Sequence, residues 1–179
     1  MSALGTVGKM LQNSLSRGGA KRTKKNPAPE LEKGTFDYIS EPKSDYFSVG
    51  FAKTDVMPDD MDKTTYYVAG YKINNPAKGA LDPMTASAIW IDDQSGRGGV
   101  IFVSIDDIGL TNYDVGIIRD LLADFKKETG CRSINIMSIH NHASIDTVGF
   151  WGPLPRSGRN KKYLSLIHIS EPTRLDVIS

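Results

Sequence analysis

Two of the chain's three histidines stand two positions apart, in His140-Asn141-His142. An apolar run, Ile134-Asn135-Ile136-Met137-Ser138-Ile139, precedes them, and a loop with Gly149, Trp151, Gly152 and Pro153 follows. Neutral imidazole is a good zinc ligand, and zinc sites often begin with two such rings on one short segment. In an extended segment alternate side chains share a face, so His140 and His142 are expected to project together from the end of a strand. Such a pair followed by a Gly/Pro/Trp loop is how many hydrolytic metal sites begin, although histidine is also common as a satisfied polar residue. Ligand histidines commonly lean on a carboxylate that fixes their tautomer, and Asp106 or Asp107 could be that partner. Both could instead cap the loop and helix that follow them. Asp107 is assigned to capping; for Asp106 both roles stay open.

The elements that position these residues are legible from pattern. Tyr46 to Ala52, Tyr66 to Tyr71 and Thr85 to Ile91 read as strands, with turns at Met57-Pro58 and Asn74-Asn75-Pro76. Asp92 to Gly99 reads as a hairpin-like connection. Val100 to Ile105 is apolar at nearly every position, as expected for a central strand buried on both faces. A helix follows, capped by Thr111 or Asn112, and Thr111 with Asp114 resembles a capping box. Its apolar stripe is Val115, Ile118, Leu121, Leu122 and Phe125. Gly130 can end it in a left-handed conformation. Ile134 to Ile139 is then a second strand. Strand, helix and strand over about forty residues make a βαβ unit, right-handed with parallel strands. The expected fold is therefore α/β, a mixed sheet containing that unit. Ligands in such sheets gather at the carboxyl ends of the strands. Asp106 and Asp107 leave one strand at that rim, and His140 and His142 leave the other.

Bulk properties exclude little. A chain of 179 residues with 39% hydrophobic and 24% charged residues has globular values, and one domain is expected. The net charge of +1 implies no acidic partner. The basic cluster Lys21-Arg22-Thr23-Lys24-Lys25 lacks interleaved aromatics, so residues 1–45 read as a poorly ordered basic tail, and no nucleic-acid partner is expected. No run approaches the ~20 apolar residues of a membrane span, and no signal-peptide core is visible. Location and oligomeric state are left open. The single cysteine, Cys131, reads as a small buried residue near a turn.

Contiguous His-Asn-His is not the dispersed motif of HNH nucleases. The metallo-β-lactamase pattern is His-x-His-x-Asp-His, whereas Ala143, Ser144, Ile145 and Asp146 follow His142, so the carboxylate is displaced and the last histidine is absent. Amidohydrolase barrels carry their histidine pair on the first strand, whereas several strands precede this one. A better likeness comes from order and spacing. Phe102-Val103-Ser104-Ile105-Asp106, an amphipathic helix, and Ile136-Met137-Ser138-Ile139-His140-Asn141-His142 resemble the amino-terminal part of the neutral/alkaline, non-lysosomal ceramidases. Val49 to Pro58 is similar to that family's opening strand, and Gly70-Tyr71 to its Gly-Tyr turn. The likeness covers residues 46–155.

Family members are zinc amidases that cleave the N-acyl bond of ceramide into sphingosine and fatty acid, and they are often secreted or membrane-associated. The resemblance implies that His140 is a zinc ligand. It implies that His142 is a catalytic neighbour contacting substrate or the activated water, with Asp106 a possible outer partner. The substrate implied is a small-molecule N-acyl amide or lipid. Residues 143–146 depart from the family's Ser-Gly-Pro stretch, so the substrate need not be ceramide. The family's other ligands, a histidine, a glutamate and a tyrosine, and its active-site serine lie downstream of the matching region. Residues 46–164 are thus expected to be a partial catalytic domain with an incomplete zinc site, inactive alone. Residues 165–179 are similar to the read-through of a sequencing adapter and are expected to be non-native, with His168 no ligand; a natural tail is the alternative. The competing function is a non-catalytic α/β binding module without a metal.

Overall fold

The computed structural model describes residues 45–169 and 176–178. The basic cluster and the rest of residues 1–44 lie outside the described residues, as do 170–175 and 179. Five strands form one mixed sheet in the order β4-β3-β2-β1-β5. They are β1 (Ser48–Asp55), β2 (Thr85–Asp92), β3 (Val100–Ile105), β4 (Ser133–Ser138) and β5 (Asp176–Ile178). β1, β2 and β3 run antiparallel in sequence, and β5 pairs antiparallel with β1. β3 and β4 are parallel, with Val100 opposite Ser133 and Ile105 opposite Ser138. Two helices, α1 (Asn112–Leu121) and α2 (Ala123–Thr129), connect them. The expected βαβ unit within a mixed α/β sheet is present.

The connection is one helical run broken at Leu122. The Thr111 side chain accepts from the Asp114 amide while Asp114 accepts from the Thr111 amide, so the capping box forms. Gly130 closes α2 with φ 69°. Ile118 and Leu122 are buried, and Phe125 stacks edge-on against Trp90 at 5.7 Å. Leu121, counted in the expected stripe, is exposed: at about 100° per residue it falls at the edge of the face that Ile118 and Leu122 turn to the core. Cys131 is buried just past the turn, and burial pushes its thiol up.

Alternation divides the sheet into two unlike faces. Ala86, Ala88, Trp90, Ile101, Val103 and Ile105 turn into the core. Val49, Phe51, Ile89, Phe102 and Met137 turn outward and are exposed. Register aligns Phe51 with Ile89 and Ile89 with Phe102, giving an apolar row across three strands. β3 is therefore not buried on both faces, as its continuous apolar run suggested. Among the described residues, only its Ile101, Val103 and Ile105 face is covered. A second departure concerns residues 66–71, which make only isolated bridges, Tyr67 with Pro76 and Val68 with Ile145. Pro76 has no amide to donate, and Gly70 turns the chain at φ 111°, so no ladder can grow.

A last helix, α3 (Lys161–Ile169), includes part of the segment set apart above as non-native. Its Tyr163, Leu164 and Ile167 are buried, at the spacing of one helical face. Tyr163 meets Tyr66 edge-on at 6.0 Å. Arg159, just before the helix, pairs with the fully buried Asp114, and His168 Nε2 lies 3.4 Å from the same carboxylate. Burial holds His168 below its ordinary value, against the pull of Asp114.

Candidate functional site

The carboxyl ends of β3 and β4 are joined by backbone hydrogen bonds. The Ile139 amide donates to Ile105 O at 3.1 Å, and the Asn141 amide donates to Asp107 O at 2.8 Å. Between them His140 takes φ 64°, a left-handed conformation that is uncommon for a residue with a side chain. Its Nδ1 sits 2.8 Å from the Ile108 carbonyl. A carbonyl can only accept, so Nδ1 is the donor, and in the neutral ring the lone pair then lies on Nε2. The ring is exposed at the rim.

His142 packs beside it, with ring centroids 4.7 Å apart at 71°. Tyr71 closes the other side, 4.9 Å from the His142 ring. Gly70 lies beneath: a Cβ there would stand 2.7 Å from His142 Cβ, Cγ and Nδ1. The two imidazoles do meet, yet not by strand alternation. β4 ends at Ser138, and the left-handed turn at His140 brings the rings together. His142 Nδ1 is buried and has no hydrogen-bond partner among the described residues.

Asp106 is engaged away from the histidines. Asp106 Oδ2 accepts from the Thr85 amide and hydroxyl, both at 2.9 Å. It therefore ties the end of β3 to the start of β2, and the partner of His140 Nδ1 is the Ile108 carbonyl instead. Asp107 is not the helix cap, since Thr111 holds that post, but its carboxyl group lies against the Gly109 amide in the loop between them. Its carboxyl group is fully buried and neither oxygen makes a hydrogen bond of good geometry. Burial, reinforced by the nearby Asp114 and Asp106 charges, pushes it up to about 6, although the Ser138 hydroxyl and Gly109 amide pull the other way.

Asp146, noted in the sequence only as a displaced carboxylate, organises the following loop. Its Oδ1 accepts from the Gly149 amide at 2.5 Å and its Oδ2 from the Trp151 amide at 2.8 Å. A short polar side chain just before a Gly-rich stretch is the sequence signal for such a loop-organising carboxylate. Asn141 makes an Asx-turn earlier in the chain, its Oδ1 accepting from the Ala143 amide at 2.8 Å.

Beyond Asn141 opens a cavity of about 450 Å³. Met57, Met61, Val68, Met84 and Ile145 supply apolar wall, and Asp82 and Asp106 are its acidic residues. Neither imidazole lines it, so the cavity and the histidine pair are neighbours and not one site.

The donor set fits one zinc-binding arm. His140 has the tautomer of a ligand, and the orphaned Nδ1 of His142 is a second buried donor nearby. Among the described residues, no group of three or more His, Cys, Asp or Glu has metal-binding geometry. No protein-family model matches this chain, and no curated protein matches it.

Proposed function

We propose that this chain carries the first histidine arm of a zinc-dependent amide hydrolase similar to the neutral ceramidases, acting on a small-molecule N-acyl amide or lipid. The observation that supports it best is His140. Its ring is fixed at Nδ1 by the Ile108 carbonyl, in an exposed left-handed turn at the carboxyl edge of a parallel strand pair. That is how ligand histidines are commonly held, with the second nitrogen oriented by a hydrogen bond to the protein. Non-glycine residues in this conformation are found where surrounding structure over-determines them, often at functional positions.

When bound there, zinc lowers the pKa of water and polarises the amide carbonyl. His140 supplies the Nε2 lone pair. His142, locked between Tyr71 and His140, presents its ring beside that atom and can contact the substrate. Asp106 keeps the β2 and β3 ends in register, so its contribution is to the shape of the rim.

Two imidazoles are fewer than the three or four protein ligands of a tight zinc site. Zinc titration by calorimetry is therefore expected to show weak binding. His140→Ala should remove most of it, and His142→Ala should reduce it less. An N-acyl-sphingosine assay beside it should show no turnover by these residues alone. Tight stoichiometric zinc that survives His140→Ala would overturn the assignment. No zinc binding at all would favour the metal-free binding module.

A further inference from the structure

The cavity beyond Asn141 is unused by the zinc reading, and its chemistry is unlike that of the histidine pair. At about 450 Å³ it is in the size range of small-molecule sites. Its apolar wall includes the thioethers of Met57, Met61 and Met84. Methionine is unbranched and polarizable and fits itself to varied apolar shapes. The acidic residues are Asp82, exposed, and Asp106, half-buried; among the described residues lining it there is no Lys, Arg or His.

Asp106 is the informative group. One oxygen, Oδ2, is saturated by the two Thr85 donors. The other, Oδ1, has no hydrogen-bond donor among the described residues, and it is not sealed in the interior as both Asp107 oxygens are. A carboxylate oxygen facing an apolar space needs a donor, and a charged donor bonds it best. Two carboxylates with no lining cation repel an anionic head such as a fatty acid.

We propose that this cavity binds a small apolar compound bearing a protonated amine, its ammonium on Asp106 Oδ1 and its hydrocarbon against the methionines. The site is independent of zinc at His140, since neither imidazole lines it. Asp82, at the exposed side, adds attraction for the cation from solution.

The test is titration of the full chain, with chelator present, using n-octylammonium, n-octanol and octanoate as probes. Backbone amide shifts locate each probe, and calorimetry gives its affinity. Octylammonium should perturb Val68, Asn141 and Ile145 and bind roughly tenfold or more tighter than octanol, with octanoate weakest. Asp106→Asn keeps one oxygen for the Thr85 donors and places an amide towards the ligand. It should lower octylammonium affinity about tenfold and leave octanol unchanged. The wild-type ranking tests the proposal even if that variant fails to fold. Equal binding of octanol and octylammonium, preference for octanoate, or no binding would overturn it. So would perturbations confined to the exposed sheet face at Phe51 and Phe102, or octylammonium affinity unchanged by Asp106→Asn.

Discussion

Replacing Asp107 by asparagine should stabilise the protein at neutral pH, and less so as the pH falls. Asp107 is fully buried where β3 meets the rim, and neither carboxyl oxygen makes a hydrogen bond of good geometry. Its folded value of about 6 lies above the ordinary 3.8. Below about pH 3 the group is largely neutral in both folded and unfolded chains and costs almost nothing. As the pH rises the unfolded chain releases its proton first, so the folded state loses ground until the pH passes the folded value. The gap of about 2 pH units corresponds to ~3 kcal/mol lost by pH 7.5. The asparagine side chain never ionises, so urea unfolding of Asp107→Asn should give ~3 kcal/mol more stability than wild type at pH 7.5 and ~1 kcal/mol more at pH 4.5. Taking the difference between the two proteins cancels the carboxylates with the opposite behaviour. Of these, Asp60 is held low chiefly by Lys162 and Tyr66, and Asp93 is pulled down to about 2, chiefly by Ser95 and then Arg97. A variant less stable than wild type at pH 7.5, or a difference that does not change with pH, would refute the reasoning.

Other substitutions probe the rim, the helix cap and the sheet face. Gly70→Ala places a methyl 2.7 Å from the His142 ring at a φ of 111°; strain and overpacking together should cost ~2–5 kcal/mol by denaturation and shift the His140 and His142 ring protons in NMR spectra. Asp114→Ala removes the capping partner of Thr111 and leaves the mostly buried Arg159 without its carboxylate; a loss of ~3–5 kcal/mol is expected in urea melts, with Asp114→Asn costing less. Phe51→Thr with Phe102→Thr breaks the apolar row across β1, β2 and β3; light scattering should show association setting in only at higher protein concentration, while unfolding free energy moves by less than ~1 kcal/mol because both residues are exposed.

What the sequence discloses and what it withholds differ by physical range. The βαβ unit rests on local signals: the apolar run of Val100 to Ile105, the Thr111 and Asp114 box, and Gly130. Each of these acts within a few residues, and each forms as expected. The burial of β3 departs from expectation because an apolar residue signals that a face can be covered, not that something covers it. Residues 66–71 depart for a related reason, since Tyr67 and Val68 have bridge partners but Pro76 and Gly70 prevent a ladder. At the site, the histidine pair is visible as letters but its geometry is not. No pattern in Ile139-His140-Asn141 marks His140 as left-handed. That conformation is imposed by Ile105, Asp107 and Ile108, more than thirty positions earlier.

That imposed turn bears directly on what the rim is for. A left-handed histidine costs backbone energy that glycine would not, of order 1–3 kcal/mol, though histidine tolerates it better than branched residues. The backbone groups that hold it belong to residues whose side chains, Ile105 and Ile108, are anchored in the buried core. The bonds from Ile139 to Ile105 and from Asn141 to Asp107 extend the β3–β4 zipper past the end of the ladder, and the Ile108 carbonyl is committed to an imidazole. On the same rim, Asp107 is buried without a hydrogen bond of good geometry, and His142 Nδ1 is left orphaned over Gly70. These unfavourable features, gathered in one short stretch of rim, are hard to explain by stability, since glycine at 140 or an apolar residue at 107 would relieve them. Local rules that fail together are expected at functional or strained sites, and the proposed zinc arm would give these costs a purpose. His140 is exposed on that rim, and the bond at Nδ1 leaves Nε2 without a hydrogen-bond partner among the described residues.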